Sequence, residues 1–218
     1  MNIKKFYLET MFSGYTEKMP EWLAFYAKQE VDHLNKILEE KIRIINVNSF
    51  ISKEIKVLDV GCGDCRIYKQ LPEHIKKDIS YTCTDIFSRK ELPIKFKNWL
   101  KKENITYIPL FELNKLYCVP YYTKDVDIIV SLGVDAHCSL TQIRIYFSAF
   151  KDLIHRDGTL VWQKQRTDNW QGLRLLEEDR DLNYETNPLD FYSPWENIEI
   201  NPLSYFILYS KKELERFK

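Results

Sequence analysis

Lys56-Val57-Leu58-Asp59-Val60-Gly61-Cys62-Gly63-Asp64-Cys65-Arg66-Ile67 reads as a buried strand, a glycine-rich turn and the start of a helix. Val57, Leu58 and Val60 form a short apolar run rich in β-branched side chains, which suits a parallel strand covered on both faces. Gly61 and Gly63 let the backbone turn sharply and approach a ligand more closely than a Cβ would allow. The helix that follows directs its free N–H groups and the positive end of its dipole into the turn. A polar ligand is therefore expected at the end of this strand.

The acid at Asp59 narrows the ligand. A nicotinamide fingerprint, Gly-x-Gly-x-x-Gly, needs a third glycine so that a pyrophosphate can sit on the helix end. Arg66 occupies that position, so the fingerprint fails. A carboxylate at Asp59 would repel phosphates and attract an ammonium group. A ligand with a cationic amino-acid end and a nucleoside fits both facts. At this point the stretch resembles the first motif of the class I S-adenosylmethionine-dependent methyltransferases, Asp-x-Gly-x-Gly-x-Gly. Asp59, Gly61 and Gly63 match it, and Cys65 stands where the family usually has a third glycine. The resemblance implies methyl transfer with S-adenosyl-L-methionine as cofactor. It also implies a Rossmann-like α/β fold, a mostly parallel seven-stranded sheet flanked by helices. The corresponding division is an N-terminal helical lid or extension over residues 1–50 and a methyltransferase domain over 51–218.

A chain of 218 residues can bury a sizeable core. Lys+Arg and Asp+Glu balance at 32 each, which provides no general footprint for nucleic acid, so a nucleic-acid partner is not expected. Near the N-terminus, Phe6-Tyr7-Leu8-Glu9 is too soon interrupted by charge for a secretory segment, and no run approaches a membrane span. These features predict a cytoplasmic protein whose five cysteines are mostly reduced.

Outward from the central stretch, Pro20-Glu21 marks a helix start. Ala27, Val31, Leu34, Leu38, Ile42 and Ile45 recur at helical spacing, which favours core packing. Tyr15, Trp22 and Tyr26 lie in or before that helix's start and are candidate substrate contacts. After the glycine turn, Arg66 to Leu71 predicts a short helix and Ile79 to Thr84 a second strand, closed by Asp85 and Ile86. A carboxylate in that position can accept two hydrogen bonds from a ribose diol; the resembling family uses it in the same way. The alternative for Asp85 is an acid at the N-terminus of a following helix. Leu92, Phe96, Trp99 and Leu100 stripe the next helix, and Asn104 to Leu110 supplies a third strand. In the family an acid or amide just beyond this strand meets the adenine amino group, a role open to Glu112.

Asp125 to His137 is the second informative stretch: a buried strand through Ile128, Ile129 and Val130, then a loop. Ligands of open α/β sheets gather at such carboxyl ends, so Ser131 and Leu132 are candidate cofactor contacts. Thr141 to Ile154 predicts a helix, Asp157-Gly158 a turn, and Thr159 to Trp162 a fifth strand. Gln165, Arg166 and Trp170 follow it as candidate substrate contacts. Asn197 to Ile200 and Ser204 to Tyr209 read as a β-hairpin.

Methyl transfer needs the acceptor, methyl carbon and sulfur nearly in line, and positioning can supply about 7 to 11 kcal/mol of the barrier. If the acceptor arrives protonated, His137 is the candidate base, with Asp135 as its alternative or its orienting partner. A structural histidine capping the next helix is the competing role for His137. His33, His74 and His155 fall on helices or their ends, where solvated or structural roles are expected.

No metal site is expected, since ligand-type residues lack tight spacing and a zinc knuckle would need a second cysteine pair. Cys62-Gly63-Asp64-Cys65 also has the form of a redox pair at a helix start. It begins inside the glycine turn, and redox chemistry would leave Asp59 and Asp85 without a role, so two incidental small residues are favoured. A small-molecule acceptor is expected; protein or RNA methylation and a non-catalytic cofactor-binding module are the alternatives.

Overall fold

The computed structural model describes residues 21–48, 54–109, 125–134, 140–165, 197–201 and 204–215. The protein is α/β, with helices and a mixed sheet, and forms two compact units, Met1–Val119 and Pro120–Lys218.

In the first unit, β1 (Ile55–Val60), β2 (Ile79–Asp85) and β3 (Thr106–Pro109) are parallel and ordered β3-β2-β1. Every residue of β1 except Lys56 is buried, so the apolar run is covered on both faces. The register sets Asp59 opposite Cys83 and Val60 opposite Thr84. Helix α1 (Glu21–Asn48) runs beyond the periodic apolar stretch, and Val31, Leu34, Leu38 and Ile42 are its buried face. Each fully buried aliphatic side chain contributes about 1.5–3 kcal/mol. Asn35 Nδ2 donates to the Gln70 carbonyl at 3.2 Å and Arg66 Nη2 lies 3.9 Å from Glu30 Oε2, which ties α1 to α2 (Arg66–Gln70).

Leu71 is extended, as the residue before a proline prefers, and Pro72 then opens α3 (Glu73–Lys76). Pro93 likewise opens α4 (Ile94–Lys102), whose Phe96 and Leu100 are buried as expected. Leu92 is buried just ahead of that helix.

In the second unit, β4 (Val126–Ser131) is buried along its whole length and pairs in parallel with β5 (Ile154–Gln165). β5 pairs antiparallel with β7 (Ser204–Ser210), and β7 with β6 (Asn197–Asn201), the hairpin read from the sequence. The strand order in this unit is β4-β5-β7-β6. Helix α5 (Leu140–Leu153) sends Phe147 edge-on to Trp162 of β5 and Tyr209 of β7, with ring centroids 5.0 Å and 5.3 Å away. Ser210 and Glu213 form a reciprocal capping box that starts α6 (Lys211–Leu214).

The structure revises the expected turn at Asp157-Gly158. Ile154 opens β5 instead of closing α5, and Asp157 and Gly158 lie within the strand. The strand is irregular there: β5 advances from Ile154 to Thr159 while β4 advances only from Val126 to Ile128. Gly158 is required by close approach. A Cβ on it would lie 2.7 Å from Ile154 Cγ1 and 2.9 Å from the carbonyl oxygens of Asp127 and Val126. His155, expected at a helix end, is correspondingly in β5.

Candidate functional site

The turn after β1 holds three residues with positive φ: Gly61 (72°), Gly63 (53°) and Cys65 (59°). Cys65 adopts the left-handed conformation at the position where the resembled motif has its third glycine. A side chain there costs about 1–2 kcal/mol relative to glycine, so the geometry of the motif persists without that residue. The N–H groups of Gly61 and Cys62 donate to the Thr84 carbonyl at 2.8 and 3.1 Å.

Asp85 holds the rest of the turn. Its Oδ2 accepts from the Gly63 N–H at 2.8 Å and its Oδ1 from the Ile86 N–H at 2.7 Å. These two bonds replace the alternative of an acid opening a helix: no helix begins between Ile86 and Pro93. Burial raises the Asp85 carboxyl above its ordinary range, and both backbone hydrogen bonds oppose that rise. Each carboxylate oxygen retains a further lone pair, so the clasp leaves Asp85 able to accept from hydroxyl groups.

Asp59 is 1% exposed. Its Oδ2 accepts from the Tyr81 hydroxyl at 2.7 Å, whereas its Oδ1 is buried with no hydrogen-bond partner among the described residues. Burial, then the nearby Cys65 and Asp85 charges, drive its pKa well above the usual carboxylate value. A buried acceptor without a donor is costly, by about 1–3 kcal/mol. The ammonium end of S-adenosylmethionine, the cofactor that the resemblance implies, is a cation of the kind that would supply the missing bond and relieve the electrostatic penalty. The residues present therefore fit S-adenosylmethionine. Ile86 beside the clasp is an exposed apolar side chain, and Thr84 Oγ1 is a second buried polar atom without a partner among the described residues.

Strand pairing also brings together residues that sequence spacing kept apart. Cys83, opposite Asp59 on β2, joins Cys62 and Cys65, and the three sulfur atoms lie within 4.8 Å of one another. All three are buried free thiols. Hydrogen bonds from the Cys62 and Cys83 thiols bring Cys65 down to about 5, while burial pushes Cys62 and Cys83 up. The expected absence of ligand clustering considered only neighbours in sequence. Tyr81 and Cys83 were missed for that reason; the usable signal was their alternation along a strand predicted to lie beside β1.

In the second unit, Ser131 ends β4 and Leu132 follows it, both buried. Gly133 (φ 76°) donates its N–H to Gln163 Oε1 of β5 at 2.6 Å. Gln163 Nε2 and Ser131 Oγ are buried without partners among the described residues. The sequence pattern ends the fifth strand at Trp162 and leaves Gln163 in a loop with no site role, whereas β5 continues through it. Gln165 is the last residue of β5, and Trp22 and Tyr26 lie in the first two turns of α1. Tyr15, Glu112, Asp135, His137, Arg166 and Trp170 lie outside the described residues.

No protein-family model and no curated protein matches this sequence. Solved structures do resemble the fold. The magnesium protoporphyrin IX methyltransferase of Synechocystis PCC 6803, determined with bound S-adenosylmethionine, superposes with a TM-score of 0.59 at 12% identity, covering 94% of this chain and 93% of its own. The DszA carbon methyltransferase gives 0.58 at 15% identity, over 82% of this chain and 54% of the other. The methyltransferase domain of bacterial CtHen1-CN gives 0.54 at 13% identity, over 85% and 99%. The chain thus has the fold of the S-adenosylmethionine-dependent methyltransferases.

Proposed function

We propose that the protein is an S-adenosylmethionine-dependent methyltransferase acting on a small-molecule acceptor. The observation that carries this reading is the Asp59 carboxylate, buried beside the glycine turn with one oxygen lacking a donor among the described residues. Asp59 receives the ammonium group, Gly61 and Gly63 admit the amino-acid end to the backbone, and Asp85 accepts from the ribose hydroxyls with its remaining lone pairs. Ile86 supplies an apolar face for the base, and Glu112 its polar partner. Ser131 and Leu132 complete the proposed cofactor contacts. When bound, the sulfonium supplies an activated methyl group. The chain's own residues then orient the acceptor and remove its proton where it carries one, with His137 or Asp135 as the base and Tyr15, Trp22, Tyr26, Gln165, Arg166 and Trp170 as acceptor contacts.

A small-molecule acceptor is supported by the balanced charge and by two neighbours named for carbon and porphyrin methylation. Among the described residues no helix is long and apolar enough to cross a membrane. The test is incubation with methyl-labelled S-adenosylmethionine and a cell extract separated into low-molecular-weight, protein and RNA fractions. Label transferred to the low-molecular-weight fraction supports the reading. Label confined to protein or RNA would replace the acceptor class, and cofactor binding without transfer to any fraction would favour a non-catalytic module.

A further inference from the structure

We propose that Cys62, Cys65 and Cys83 form a three-thiolate site for a single soft metal ion, with monovalent copper the ion whose coordination it fits. The proposal stands on the arrangement of the thiols and is independent of any cofactor. Two ligands come from the turn, where the Cys65 N–H donates to the Cys62 carbonyl at 2.8 Å and folds the Cys-x-x-Cys segment back on itself. The third comes from β2, carried there by the pairing of β1 with β2.

Metal–sulfur bonds of about 2.3 Å in a trigonal set place the sulfurs about 4 Å apart. The sulfurs already lie within 4.8 Å of one another, so small adjustments of three short side chains complete the site. No carboxylate or imidazole joins the group at this spacing among the described residues. Zinc favours four ligands in a tetrahedron. An all-sulfur set of three instead suits monovalent copper, a soft ion selected by thiolates. Coordination forms three copper–sulfur bonds and releases the remaining thiol protons to solvent; copper keeps its oxidation state, so no oxidant or reductant is consumed. Cys62, 5% exposed while Cys65 and Cys83 are 0% exposed, lies on the solvent side of the cluster and is the point of entry. A bound ion would pin the turn to β2 and stabilise the native state by mass action.

The test is anaerobic titration of the full chain with monovalent copper against a chromophoric chelator, followed by X-ray absorption at the copper edge. One copper per chain with three sulfur neighbours is expected. Cys83→Ser should abolish stoichiometric uptake, and a Cys118→Ser/Cys138→Ser chain should retain it. No uptake by the native chain, undiminished uptake by Cys83→Ser, or loss in the Cys118→Ser/Cys138→Ser chain would overturn the site. Nitrogen or oxygen neighbours in the absorption spectrum would do the same, as would zinc displacing copper with a fourth ligand. If Cys83→Ser does not fold, the absorption spectrum of the native chain decides the question alone.

Discussion

The ends of β1 and β4 solve the same backbone problem with different chemistry. In each unit a buried parallel strand leads into a turn with a positive-φ glycine, Gly63 or Gly133, whose N–H is held by a side chain from the neighbouring strand. The holding residue lies one position beyond the last paired residue: Asp85 after the Val60–Thr84 pair, Gln163 after the Ser131–Trp162 pair. Asp85 offers only acceptors, and Asp59 beside it adds another. Gln163 spends its acceptor on Gly133 and leaves a donor, Nε2, without a partner among the described residues. The first strand end therefore presents acceptors and the second, among the described residues, an unused donor. One local geometry, with carboxylate in one place and carboxamide in the other, leaves opposite hydrogen-bonding character at the two strand ends.

The largest expected effect follows from removing the carboxylate clasp. Asp85→Ala leaves the Gly63 and Ile86 N–H groups without their charged acceptor, and hydrogen bonds to charged groups contribute about 1.5–3 kcal/mol each. Urea denaturation should show a loss of about 3 kcal/mol or more. Gln163→Leu should cost only about 1 kcal/mol, because it removes one neutral bond and with it an amide N–H group that has no partner among the described residues. Equal losses in the two variants would break the comparison.

Tyr81→Phe comes next. It deprives the buried Asp59 carboxylate of its hydroxyl donor. A loss of about 1–3 kcal/mol is expected from equilibrium unfolding.

Gly133→Ala isolates the backbone contribution. A Cβ there meets nothing within 4 Å among the described residues, so the expected cost is the strain of φ 76° alone, about 1–2 kcal/mol. A markedly larger loss of thermal stability would mean that the turn is packed against something else.

The pH dependence should separate the two ends most finely. Asp59 and Asp85 both have folded pKa values raised from the ordinary 3.8, chiefly by burial. Between that value and the raised ones the folded state binds more protons than the unfolded state, so stability falls as pH rises through the window. Asp59→Asn should flatten the urea midpoint against pH, and Gln163→Leu should leave the slope unchanged.

The region around the glycine turn was legible because its signals are local. An apolar β-branched run, two glycines and a pre-proline break placed β1, α2 and β2 close to their observed bounds. What was not legible depends on pairing. Cys83 meets Cys62 and Cys65 only once β2 lies parallel to β1 in a particular register. The amide at Gln163 has meaning only opposite Gly133. Asp157-Gly158 misled because the dipeptide that usually marks a turn serves here to let β5 pass close to β4. The position of Asp85 at the end of β2 suggests a ligand residue, and its hold on Gly63 emerges only from the turn's conformation.

The most direct test is calorimetric titration of the native chain and of Asp59→Asn with S-adenosylmethionine, its demethylated product and NAD in parallel. Saturable binding of the first two by the native chain, absent for NAD and weakened at least about tenfold in Asp59→Asn by the loss of a buried charge pairing, is the predicted result. Binding of NAD in place of the sulfonium, or full affinity in Asp59→Asn, would contradict the account.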